Sequence, residues 1–344
     1  MFTQKALVLK EKFGQFVVDS WPMPPPPAAG QVLIKIQATA LNPADWKMRK
    51  LGALIDEYPT IVGWDFSGDV EAVGEAVDSL KKGDRVMALS FPPHGMYAFQ
   101  QYVLMPADLV GKIPDSLDYA QAASIPLGYA TAAIGLLAAA PAGAGLDPTC
   151  AFEKSFAGQP VFVFGGSSSV GQFALQVLRE YKFSPIITYA SAKHTDFLKS
   201  LGATHVIDRN AVPTASVPET VRLIAGPGAS FKIVFDAISE PDTQEACFQL
   251  LSSEGGTAVA ILGGEEHDIN GRKLIHVMGS PHLHREFGTL MWKTLAKQVA
   301  EGIIVPNRVE KLPNGLAGIV DGLARLENNA VSGVKLVAFP QETA

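Results

Sequence analysis

Residues 161–171 of this chain read VFVFGGSSSVG, and no other stretch limits the fold as strongly. Four consecutive apolar residues, β-branched and aromatic, predict a short buried strand. Small residues follow at once, and QFALQVLR at residues 172–179 then carries apolar side chains at helical spacing. Strand, small-residue turn and helix in that order present backbone N–H groups and a helix N-terminus to a pyrophosphate. The glycine pattern is Gly-Gly-x-x-x-x-Gly rather than G-x-G-x-x-G. Taken alone, the turn fits an ordinary strand–helix connection capped by serine equally well. The context tips the balance: the apolar run PIITYA at residues 185–190 completes a βαβ unit.

A dinucleotide fold places a ribose-reading residue about 20 residues past the glycines, and an acid there binds the 2′-hydroxyl of NAD. Here the segment holds Ser191, Ala192, Lys193 and His194, with no carboxylate. A hydroxyl, a lysine and a histidine suit a 2′-phosphate, which a carboxylate would repel. NADPH is therefore expected over NADH, unless Lys193 and His194 simply open a solvated helix.

The length of 344 residues predicts two domains, and 47% hydrophobic against 18% charged residues supports a large core rather than disorder. A net charge of −6 with no basic block argues against nucleic acid or an anionic membrane as the main partner. Two cysteines, Cys150 and Cys247, cannot build a disulfide framework. The first ten residues alternate like a strand and lack the apolar core of a signal peptide. No apolar run is expected to span a membrane; residues 130–142 are too short and Ala/Gly-rich. These features suggest a cytoplasmic, reducing setting.

The first 125 residues are rich in short strands punctuated by glycine and proline, with a rigid Pro-rich connector at residues 22–27. From residue 119 helical spacing takes over. Residues 139–159 form a long Gly/Pro-bearing loop just before the dinucleotide strand. Strands and helices then alternate, which implies a parallel doubly wound sheet. The final segment returns to the opening style with a strand at residues 333–337. The expected fold class is α/β.

Several motifs occur in order over nearly the whole chain: NPADWK at 42–47, GWDFSG at 63–68, GDRV at 83–86, AASIP at 122–126, the Gly165 turn, and SGVKLV at 332–337. Together they resemble the medium-chain dehydrogenase/reductase superfamily. Within it the chain is most similar to zinc-free quinone-oxidoreductase-like members, especially fungal enoyl reductases that act in trans with polyketide synthases. The resemblance implies a GroES-like β-rich catalytic domain at residues 1–125 and 306–344, with a Rossmann NADPH-binding domain inserted at 126–305. Zinc members carry a catalytic Cys near Asn42 and Gly-His-Glu near residues 63–65. Here those positions supply one plausible ligand, Asp65, and His282 and His284 lack a recognisable third partner, so no zinc is expected.

Without a Lewis acid, hydride addition to an electron-poor C=C is easier to support than alcohol oxidation, because the conjugated carbonyl takes up the developing charge. By resemblance, Lys47 is the cationic donor near cofactor or enolate. Tyr129 and Tyr97 are weaker proton-donor candidates, singled out without that resemblance. Cofactor contacts implied in the same way are Ala44, Asp45, Trp46, Lys47, Thr131, Gly165, Gly166, Ser167, Ser168, Ser169, Val170, Ser191, Ala192, Lys193, His194, Arg209, Leu262, Gly263, Ser332 and Gly333. Arg209 departs from a tyrosine in the related enoyl reductases, yet an arginine beside the adenosine also suits a 2′-phosphate. The expected activity is an NADPH-dependent enoyl or enone reductase in secondary metabolism, with a polyketide synthase as partner. A quinone reductase and a non-catalytic NADPH-binding protein remain open alternatives.

Overall fold

The computed structural model describes residues 2–261, 263 and 266–344. The chain divides into two compact units, one of residues 1–127, 295–300 and 305–344, the other of residues 128–294 and 301–304.

The first unit is built on strand Gln31–Ala40, whose even positions are buried and whose odd positions are half-buried up to residue 37. That alternation packs Val32, Ile34 and Ile36 against Phe66, Val70 and Val86. Burying side chains of this size stabilises the unit by roughly 1.5–3 kcal/mol each. Gln31–Ala40 pairs antiparallel with Asp65–Val73, with register shifts after Leu33 and Ile36 that bend the sheet. The C-terminal strand Lys335–Ala338 comes back to pair antiparallel with the far end of Gln31–Ala40, Val337 opposite Ala40. A smaller sheet joins Phe16–Pro22, Thr3–Leu9 and Thr60–Ile61.

The second unit contains the predicted doubly wound sheet. Its parallel strands run in the spatial order His205–Asp208, Ile186–Ala190, Val161–Phe164, Ile233–Asp236, Gly256–Ala260, Arg272–His276. In chain order this is 3-2-1-4-5-6, the dinucleotide-fold arrangement. The central strands are buried along their whole length, as a sheet covered on both faces requires. Strand order reverses between Val161–Phe164 and Ile233–Asp236, so the ligand crevice of such a sheet lies beyond the C-terminal ends of these two. A short antiparallel strand, His267–Ile269, which the sequence pattern did not suggest, edges the sheet beside Arg272–His276. Its length and its charged residues are features that blunt an open sheet edge.

Two expectations change. The helical stretch from residue 119 is interrupted: one helix spans Tyr119–Ala123 and the next starts at Pro126 and runs to Leu137. Proline cannot donate an N–H to a continuing helix, and it pushes the preceding residue toward extended backbone. By length and composition Tyr119–Leu137 is apolar enough to cross a membrane, contrary to the reading that no run approaches a span; 89% of its most apolar window is buried inside the protein. An Ala-rich core helix meets the same criterion as a membrane segment because both must be apolar on every side.

Candidate active site

In the second unit, the turn after Val161–Phe164 is held by Gly165 N–H donating to the Tyr189 carbonyl and by Ser168 N–H donating back to the Gly165 carbonyl, at 3.0 and 2.9 Å. Gly165 adopts φ 75°, where a side chain is strained. A β-carbon on Gly166 would collide with the Thr188 hydroxyl of the neighbouring strand, and one on Gly171 with the Gly165 carbonyl oxygen. The two glycines therefore let strand, turn and helix approach closely. This is the role of the spaced glycines in the G-x-G-x-x-G version, reached here with different spacing. Helix Ser169–Glu180 begins directly after the turn, and Ser168 caps it by accepting from Gly171 N–H at 3.0 Å. The Ser168 hydroxyl is thus occupied in the cap, and Ser167, Ser169 and Val170 line the head of the helix. A helix N-terminus behind a turn too tight for side chains fits a pyrophosphate.

The residues expected at the adenosine lie where Ile186–Ala190 and His205–Asp208 finish. Ser191 is nearly buried, Ala192 and Lys193 are exposed, and His194 is buried. Arg209 is exposed, and its N–H donates to the Ala190 carbonyl at 3.0 Å, which brings it beside Ser191. Asp208 was missed in the sequence: its Oδ1 accepts from Ala192 N–H at 3.1 Å and from Asn210 N–H at 3.1 Å. The acid absent after the second strand is supplied by the third, where it ties down the turn carrying Lys193. Only sheet pairing reveals this, because Asp208 and Ala192 are 16 residues apart. Gly263 is exposed; Leu262 lies outside the described residues.

Tyr129 and Thr131 share helix Pro126–Leu137. Tyr129 has no exposed surface and packs edge-on against Phe173, ring centroids 6.0 Å apart. Burial pushes its phenol well above the usual value. This environment suits packing better than proton delivery to a substrate. Thr131 is 6% exposed, and Gly279 packs so closely on it that a β-carbon there would clash.

In the first unit, Asn42 caps helix Pro43–Leu51, which carries Ala44, Asp45, Trp46 and Lys47. Asp45, expected at the cofactor, is instead turned inward. It is fully buried, and its Oδ2 accepts from Asn42 N–H at 2.7 Å, completing a reciprocal helix cap. Burial, opposed by that amide and reinforced by the nearby Asp65, pushes its carboxyl well above the usual range. Lys47 is half-buried, with Nζ 5.7 Å from the Trp46 ring centroid, and among the described residues it makes no ion pair. Its ammonium is therefore available to a ligand. Tyr97, also half-buried, accepts a long 3.4 Å contact from the Thr60 hydroxyl. Ser332 is exposed, and the buried Gly333, at φ 69°, accepts from Arg308 Nε through its carbonyl at 3.2 Å. That glycine turn leads into Lys335–Ala338.

The alcohol dehydrogenase GroES-like domain model matches residues 28–115, and the zinc-binding dehydrogenase model matches residues 169–298. The chain belongs to the medium-chain dehydrogenase/reductase superfamily, and it is an oxidoreductase of the kind that works with a nicotinamide dinucleotide. It is 30% identical to the trans-enoyl reductase ACTTS2 of Alternaria alternata, over 98% of this chain and 99% of that one. It is 29% identical to the enoyl reductase component lovC of the lovastatin nonaketide synthase of Aspergillus terreus, over 97% and 95%. Among solved structures, an alcohol dehydrogenase superfamily protein from Novosphingobium aromaticivorans superposes with a TM-score of 0.78 at 26% identity, over 97% and 99% of the two chains.

The second matched model carries zinc in its description, but the side chains at residue 42 and residues 63–65 do not fit that ion. Asn42 offers an amide, Trp64 is a buried indole, and the carboxylate of Asp65 is already paired with the Lys335 ammonium at 2.9 Å. Zinc needs three or four N, S or O donors, and a cation beside the single carboxylate opposes a second one. Among the described residues no group of three or more His, Cys, Asp or Glu could hold a metal.

Proposed function

We propose that this protein is an NADPH-dependent enoyl reductase of secondary metabolism. It would reduce the activated C=C of an enoyl thioester or enone held by, or released from, a separate polyketide synthase. The single observation that carries this reading is a pyrophosphate-type turn and helix in a chain that aligns end to end with named trans-enoyl reductases. The Gly165–Gly166 turn and the first turn of helix Ser169–Glu180 take the pyrophosphate. Ser191, Lys193 and Arg209 take the 2′-phosphate, where guanidinium and ammonium are matched to a dianion. Asp208 holds the turn that carries Lys193. When bound, the reduced nicotinamide supplies a hydride to the β-carbon of the alkene.

The remaining chemistry falls to the protein. As the β-carbon gains its bond, the C=C pair moves toward the conjugated carbonyl and negative charge grows on oxygen. Lys47 donates a hydrogen bond to that oxygen, a contact stronger in the transition state than in the ground state. A proton from a side chain or water then reaches the α-carbon. We assign the protein to the cytoplasm, a reducing compartment in which its two cysteines would stay free thiols. NADPH consumption measured across an enoyl thioester, an enone and a quinone tests the proposal. Turnover of the first two is expected; turnover of the quinone alone would identify a quinone reductase, and NADPH binding without any turnover would identify a non-catalytic binder.

A further inference from the structure

Asp65 is completely buried and uses both carboxylate oxygens. Oδ1 accepts the backbone N–H of Leu127 at 2.6 Å. Oδ2 accepts Nδ2 of Asn42 at 2.9 Å and pairs with Lys335 Nζ at 2.9 Å. Lys335, itself 3% exposed, also donates to the side-chain oxygen of Asn42. One carboxylate therefore joins three segments lying 23, 62 and 270 residues away in sequence. The first is the cap of helix Pro43–Leu51, which carries Lys47. The second is Leu127, in the opening turn of helix Pro126–Leu137. The third is strand Lys335–Ala338, entered through Ser332 and Gly333.

A buried ion pair is a costly way to gain stability, because desolvating two charges offsets most of their attraction, and an apolar replacement is often no worse. What the pair does supply is direction. A carboxylate that accepts from two helix starts and one strand, each along a fixed hydrogen-bond axis, leaves those segments little freedom to shift. Leu127 N–H lies in the first turn of its helix, where a negative charge is favoured.

We propose that Asp65, through Lys335 and Asn42, is a positioning residue for the reduction. It fixes the helix bearing Lys47, the Leu127 amide and the Ser332-Gly333 turn in one arrangement. This inference rests on the enoyl reductase reading for its kinetic consequence and on the apo protein for its structural one.

Asp65→Asn keeps the shape and removes the charge; Asp65→Asn with Lys335→Met removes both charges and leaves no unpaired ion. Hydrogen exchange on the apo variants is the first measurement. Faster exchange is expected together in residues 43–51, at Leu127 and in residues 335–338, with the doubly wound sheet unchanged. The second measurement is turnover with NADPH. In the double variant, thermal stability is expected to recover toward wild type while kcat stays at least tenfold low. Recovery of kcat along with stability would overturn the proposal, as would exchange that rises in one segment alone or uniformly through the chain. If Asp65→Asn does not fold, the double variant carries the same comparison. Wild type is the control that separates the two readings: absence of wild-type turnover defeats the enoyl reductase assignment, whereas wild-type turnover with an unaltered double variant defeats the positioning role.

Discussion

Tyr181 donates its hydroxyl hydrogen to Asp147 at 2.8 Å, joining the end of helix Ser169–Glu180 to a loop 34 residues earlier in the chain. The same carboxylate accepts from the Thr149 hydroxyl at 2.6 Å and from the amides of Ala151 and Phe152 at 3.1 and 3.0 Å. The long segment ahead of the dinucleotide strand is therefore an ordered loop wrapped around one acid. Burial works against the Asp147 charge, but the hydrogen bonds from Thr149, Tyr181 and Phe152 outweigh it and hold its pKa below the usual carboxylate value.

Replacing Asp147 with Asn is expected to lower unfolding free energy by roughly 1.5–3 kcal/mol at neutral pH, since it weakens several bonds to one charged acceptor. Because the folded pKa lies below the unfolded value of about 3.9, the contribution is complete above that pH and is lost as pH falls through the folded value. Denaturant melts of wild type and Asp147→Asn should converge below about pH 4. A gap that stays constant down to pH 3 would show that the charge is not what stabilises the loop.

Gly171 faces the Gly165 carbonyl with no room for a β-carbon. Gly171→Ala should push the helix start away from the turn and weaken NADPH binding at least tenfold, about 1.4 kcal/mol, in a fluorescence titration. Undiminished affinity would mean that the pyrophosphate does not rest on this turn.

Lys193→Ala and Arg209→Ala are each expected to cut the ratio of kcat/KM for NADPH over NADH by about five- to tenfold. These side chains are exposed, so the effect sits at the low end for charge-assisted contacts. A ratio unmoved in the double variant would place the 2′-phosphate elsewhere.

Lys47→Ala should lower kcat on an enone by about 10²–10³-fold, the range for removing one donor from a developing oxyanion, and Lys47→Arg should restore part of it. Wild-type kcat in Lys47→Ala would remove the lysine from the reaction.

Both cysteines are buried and free, and burial pushes the Cys150 thiol up to about 12. With almost no thiolate at neutral pH, both should react with a disulfide reagent on the order of 10²-fold more slowly in the native protein than after denaturation, followed by absorbance.

Much of this protein was legible in its sequence. The VFVF strand, the glycine turn and the amphipathic helix that follows are local, and periodicity with turn chemistry suffices to read them. The motif order over the whole chain carried the family, and the missing acid after residue 190 carried the expectation of NADPH. The sequence did not reveal what each polar residue would be used for. Asp45 looked like a cofactor contact and became a helix cap; Tyr129 looked like a proton donor and is packed against Phe173. Asp208 reached the Ser191 turn only because two strands pair in parallel, and Asp65 met Lys335 only because the last strand folds back on the first long one. Short-range forces set strands, turns and caps, and neighbouring residues encode them. The partner of a buried charge is set by which distant segments share its cavity, and that distance in sequence is something only the tertiary structure closes.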